Sequence, residues 1–110
     1  MSDLPGLRAS REQRAFAGWD EYRPAELVAQ SEAAIQRLVE GLLALGPNPT
    51  REQVQAEIDA CVRRFNELDA NWEHRWINTQ DREDISEVLW ELIDLCGFEG
   101  SEEWLDERDW

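Results

Sequence analysis

P-A-E-L-V-A-Q-S-E-A-A-I-Q-R-L-V-E-G-L-L-A-L-G-P, residues 24–47, reads as one long amphipathic helix. Leu27, Ser31, Ala34, Leu38, Leu42 and Leu45 recur at spacings of three and four. Val28, Ile35 and Val39 widen that stripe enough for the helix to touch two neighbours. Pro24 fits the first helical position, where a missing N–H costs nothing. Gly46 supplies a left-handed end, and Pro47 and Pro49 prevent continuation.

Downstream the same period repeats. Thr50 with Gln53 forms a capping box, and Val54, Ile58, Cys61, Val62, Phe65 and Leu68 form the next stripe. Asp69 is misplaced there, because the dipole at a helix C-terminus disfavours an anion. It is expected to turn and cap the segment that follows. Thr79 is the expected cap of a third long helix, with Ile85, Val88, Leu89, Leu92, Ile93, Leu95 and Cys96 inside and Gly97 at its end. In the other direction, Met1–Ala9 reads as a loose lead-in. Ser10 with Gln13 predicts a short helix from Arg11 to about Ala17, with Phe16 and Trp19 as its anchors. A turn over Gly18–Arg23 follows. Residues 98–110 form an acidic segment in which Ser101 caps a short helix, Glu102 to about Arg108, carrying Trp104.

The short connections make neighbouring helices antiparallel. The expected fold is therefore all-α: a small antiparallel bundle of three long helices with short helices at both ends. A length of 110 residues fits one domain with a core large enough to need no disulfide or metal. Cys61 and Cys96 fall on core faces and are expected to be reduced and inert, as in a cytoplasmic protein. The N-terminus lacks a signal-peptide pattern, and the longest aliphatic run, Leu42–Leu45, is far too short to span a membrane.

The net charge is −14, from 25 acids and 11 bases. It is uneven: Asp81–Trp110 carries twelve acids against Arg82 and Arg108, a net of −10. Such a field repels nucleic acid and anionic membranes and attracts basic proteins. All 11 bases are arginine, which excludes a phosphate-loop lysine or a lysine-bound pyridoxal cofactor. No cofactor is indicated, and no spacing matches a metal motif. Glu-x-x-His is absent, and Asp81, Glu83 and Asp84 lack the glycine and final glutamate of a calcium loop.

Three functional expectations follow. First, Asp84, Glu87, Glu91 and Asp94 form an acidic stripe around Trp90, which with Trp104 would bind a basic protein partner. Small acidic inhibitors of nucleases or toxins share this profile of size and charge. Second, exposed tryptophans would support self-association as a homo-oligomer. Third, the connector between the last two long helices would make the chain a small-ligand protein or a metal-dependent enzyme, with a ligand cleft from Asn66, Asp69, Trp72, His74, Trp76 and Arg82. No nucleophile is suitably placed beside His74, so no catalytic residue is assigned.

Overall fold

The computed structural model describes residues 1–110 and is all-helical. Three long helices carry it: α2 (Ala25–Ala44), α3 (Arg51–Asn71) and α4 (Thr79–Leu95). A short helix, α1 (Leu4–Arg11), precedes them, and single 3₁₀ turns lie at Ala17–Glu21 and Glu102–Leu105.

The long helices begin and end where their chemistry directs. Pro24 is the N-cap of α2, one residue outside the helix rather than its first residue. Thr50 and Gln53 close a reciprocal capping box on α3. On α4 the cap is Asn78, not Thr79: its side chain accepts the Asp81 N–H at 3.0 Å, and the Asp81 carboxylate accepts the Asn78 N–H at 3.2 Å. Asn78→Ala is expected to cost about 1 kcal/mol, read as a lower denaturation midpoint, whereas Thr79→Ala should cost much less. Gly46 (φ 80°) and Gly97 (φ 89°) take the left-handed conformation that ends α2 and α4.

Helices α2 and α3 are antiparallel neighbours. Glu57 lies against Gly41, and farther along α3 the Cys61 thiol reaches the Ala34 carbonyl at 3.8 Å. Helix α4 runs in the same sense as α2. Arg23, just before α2, pairs with Asp81 at the start of α4. At the other end, the Ser2 N–H donates to the Pro47 carbonyl at 2.8 Å and the Asp3 N–H to that of Leu95.

Those last bonds correct the expectation for residues 1–9. The segment is not loose. Asp3 caps it by accepting the Gly6 N–H at 3.0 Å, and Leu7 is fully buried. The expected helix from Arg11 to Ala17 does not form. Ser10 sits inside α1 and donates its hydroxyl to the Gly6 carbonyl. The expected Gly18–Arg23 turn is largely 3₁₀ helix, and the expected helix from Glu102 is a single 3₁₀ turn ending at Leu105.

All the long helices contribute to one cluster of 23 buried apolar residues. Its aromatic part is a chain of ring contacts. Phe16 stacks on Trp19 at 4.1 Å, Trp19 meets Trp76 edge-on at 5.6 Å, and Phe16 meets Phe65 edge-on at 6.2 Å. Both cysteines are unbridged and buried. Burial pushes the Cys61 thiol up from 9.0 to about 12 and raises that of Cys96 as well. The folded state therefore holds the Cys61 proton over a pH range in which the unfolded chain releases it. Stability is expected to fall as pH rises above 9. Urea midpoints at about pH 8 and about pH 10.5 check this, and Cys61→Ala should flatten the decline. No helix is long and apolar enough to cross a membrane.

Candidate functional site

The connector resolves the misfit at Asp69. This residue is 2% exposed. Its carboxylate accepts the backbone N–H groups of Trp76 at 2.9 Å and Ile77 at 3.0 Å, and Arg75 pairs with it at 3.3 Å. An anion at the end of α3 is thus compensated by two amides and a guanidinium, and it fixes the path into α4. Trp76 is buried and donates its indole N–H to the Leu68 carbonyl.

The other expected cleft residues point elsewhere. Asn66 clamps the C-terminal segment, donating to the Glu107 carbonyl at 2.9 Å and accepting the Asp109 N–H at 2.8 Å. His74 is exposed, and Arg82 lines a separate cavity beside Trp90. Trp72 borders a groove between α2 and α3. Asp69 and Trp76 are therefore brought together, while Asn66, Trp72 and Arg82 are not gathered into one cleft. No three His, Cys, Asp or Glu side chains converge as a set able to hold a metal ion.

The acidic helix is also arranged differently from its expectation. Trp90 lies on the outer side of α4, as the helical phase requires, but the C-terminal segment folds back over it. Its indole N–H donates to the Ser101 carbonyl at 3.0 Å. Gly100 packs so closely that an added Cβ would meet the Trp90 Cβ at 2.8 Å. The cavity of about 270 Å³ beside Trp90 contains Arg82 and Arg108 as well as Glu83, Glu87 and Glu102. Arg108 pairs with Glu102 at 3.0 Å. Trp90 is therefore half-buried with mixed charge around it, not a bare anchor among acids. Trp104 belongs to the core: it is 1% exposed, with the Arg51 guanidinium 4.1 Å above its ring.

The acids instead surround a different aromatic floor. A groove of about 320 Å³ runs between α4 and the first 3₁₀ turn. Asp84, Glu87 and Glu91 line it together with Phe16, Trp19 and Val88, and no arginine is among its lining residues. Asp84 accepts the Trp19 indole N–H at 2.9 Å and a Gln80 amide N–H at 2.9 Å, which ties the turn to α4. Glu87 and Glu91 are exposed and make no side-chain hydrogen bond or ion pair.

Arg14 is the cation nearest in sequence, and it lines the adjoining cavity with Glu91 and Val88. It is already engaged, bidentate on Asp20 at 2.7 and 2.9 Å and on Glu32 at 3.1 Å. These carboxylates hold the Arg14 guanidinium more firmly protonated than usual, and Arg14 in turn lowers the pKa of Asp20. Asp94 is exposed farther along α4, outside the groove lining. What the arrangement offers a cationic side chain is mainly carboxylate, with the half-buried Val88 as the chief apolar surface, since Phe16 and Trp19 are each 3% exposed.

Sequence reasoning found these acids but missed Phe16, Trp19 and Val88 as their partners. The only signal available was that Val88 lies one residue from Glu87 on the edge of the core stripe.

Residues 16–110 match the model of a family of unknown function, DUF5713. The matched span contains the acidic groove apart from Ala15 and leaves out α1. No curated protein and no solved structure matches the chain.

Proposed function

The chain belongs to DUF5713, a family without an assigned activity, and we propose that it is a non-enzymatic cytoplasmic protein that binds a basic protein partner through its acidic groove. The observation that carries this reading is the groove itself: three carboxylates over Phe16, Trp19 and Val88 with no arginine among the lining residues. Charge alone supports only a solvated surface. Charge beside a concavity supports recognition, because a partner's lysine or arginine would lay its stem along the half-buried Val88 and the edges of Phe16 and Trp19, each 3% exposed, and exchange water for carboxylate.

The binding surface in this reading is Asp84, Glu87 and Glu91, with Asp94 adding long-range attraction. Trp90 and Trp104 serve the C-terminal segment instead. Association should be fast and salt-sensitive, since exposed charges are screened within about 8 Å at physiological ionic strength.

The test is affinity capture from lysate at low and at high salt with three baits. The wild-type chain should retain a basic protein at low salt and lose it at high salt. Glu87→Arg with Glu91→Arg should abolish capture. Glu103→Arg with Glu107→Arg, which changes net charge equally but lies in the C-terminal segment, should leave it nearly intact. Equal loss in both double variants would mean that bulk charge, not the groove, governs association.

A further inference from the structure

A second groove, of about 600 Å³, lies between α2 and α3 and shares no lining residue with the acidic one. Its volume falls in the range of small-molecule sites. Ala33 and Ala34 leave the space on the α2 side, and Leu68 and Trp72 supply apolar surface. Arg37 comes from α2 and Arg64 from α3, so one cation stands on each helix.

Two features of this groove bear on what it could hold. Five of the eleven arginines, Arg11, Arg14, Arg23, Arg75 and Arg108, pair with carboxylates. Arg37 and Arg64 pair with none, although the chain has 25 acids to its 11 bases. Tryptophans here usually spend their indole N–H: Trp19, Trp76, Trp90 and Trp104 each donate to an acceptor in the protein. Trp72, half-buried at this groove, makes no such bond. Two unpaired arginines and a tryptophan with an unpaired indole N–H thus line one concavity.

We propose that this groove binds a small monoanionic carboxylate with a flat apolar body. Arginine's planar fork matches a carboxylate in bidentate fashion, so Arg37 and Arg64 supply two such forks at the groove. The body lies against Trp72 and Leu68. Glu67 also lines the groove, so its net charge is +1. That favours a monoanion, and inorganic phosphate, a mixture of mono- and dianion near neutral pH, has no apolar body to lie against Trp72 and Leu68. The field of a chain at −14 works against non-specific anion binding, so a saturable anion site must be supplied locally.

The experiment is an NMR titration of the full chain with indole-3-acetate, its neutral analogue indole-3-acetamide, and inorganic phosphate. Indole-3-acetate should bind saturably, shifting the Trp72 indole N–H and the side-chain amides of Gln30 and Asn71. The acetamide and phosphate should each bind at least about tenfold more weakly, as expected when a charge-assisted pair of bonds or the stacked body is lost. Arg37→Gln and Arg64→Gln should each weaken indole-3-acetate about tenfold, and Arg82→Gln should not. Thermal melts check that these exposed or half-buried substitutions leave the fold intact. No saturable shift, equal affinity for the acetamide or phosphate, or unchanged affinity in both arginine variants with intact folds would overturn the proposal.

Discussion

Replacing Asp81 with alanine is expected to destabilise the protein by about 3–5 kcal/mol, the range for breaking a buried ion pair by removing one partner. Asp81 is 0% exposed and ties the start of α4 to the segment ahead of α2. Its carboxylate accepts the Asn78 N–H at the start of α4, pairs with Arg23 ahead of α2, and accepts the Tyr22 hydroxyl at 3.3 Å. Arg23 in turn donates to the Trp76 carbonyl at 3.0 Å and lies over the Tyr22 and Trp76 rings. Without Asp81, a largely buried guanidinium keeps its desolvation cost and loses its counter-charge, while the capping box opens.

For a domain of this size the loss corresponds to a fall in Tm on the order of 15 °C. Thermal and urea denaturation would both read it. Asp81→Asn should be milder, since it can still accept the Asn78 N–H. Pairing Asp81→Leu with Arg23→Met should recover much of the loss, because removing both charges also removes the unpaired one. A loss below about 0.5 kcal/mol for Asp81→Ala, typical of a surface substitution, would contradict the structural role described.

Trp104→Ala carries the second large effect, about 3–5 kcal/mol for truncating a buried tryptophan. Beyond the area lost, the substitution removes the ring beneath Arg51 and the partner of Phe98 at 5.8 Å. It also removes the indole N–H that donates to the Glu99 carbonyl at 2.9 Å. The Gln55 amide, which holds the Trp104 carbonyl at 2.9 Å, would then anchor a segment with no side chain in the core. The C-terminal segment should loosen and expose Trp90. Limited proteolysis is expected to cleave after about residue 97 far faster than in the wild type, alongside the lower Tm. Had Trp104 faced a partner beside Trp90, as expected from the sequence, truncation would leave the isolated chain's stability nearly unchanged.

The contrast between Asp81 and Trp104 shows where sequence reasoning reached and where it stopped. The three long helices were legible because spacings of three and four run through 17 residues or more in each, with a capping box opening α3 and left-handed glycines closing α2 and α4. Helix α1 was not. It is eight residues long and carries Pro5 and Gly6, and tertiary bonds to Pro47 and Leu95 hold it in place. Local propensity says little about such an element.

Asp69 was legible as a misfit, and its compensation by the Trp76 and Ile77 amides is what a buried anion requires. The acids of α4 were legible by helical phase. Their aromatic partners were not, because the contact between Trp19 and Asp84 spans 65 positions in the chain. For the same reason phase placed Trp90 correctly outside α4 yet could not show that Gly100 and Ser101 lie over it.

The central claim is that Glu87 and Glu91, over Phe16, Trp19 and Val88, form the working surface. Carbodiimide labelling of surface carboxylates, read by mass spectrometry with and without the captured basic partner, tests it most directly. Glu87 and Glu91 should label readily in the free protein and become protected in the complex, while Glu52 and Glu103, both exposed outside the groove, label equally in each state. Undiminished labelling of Glu87 and Glu91 in the complex, with protection falling elsewhere, would contradict the account.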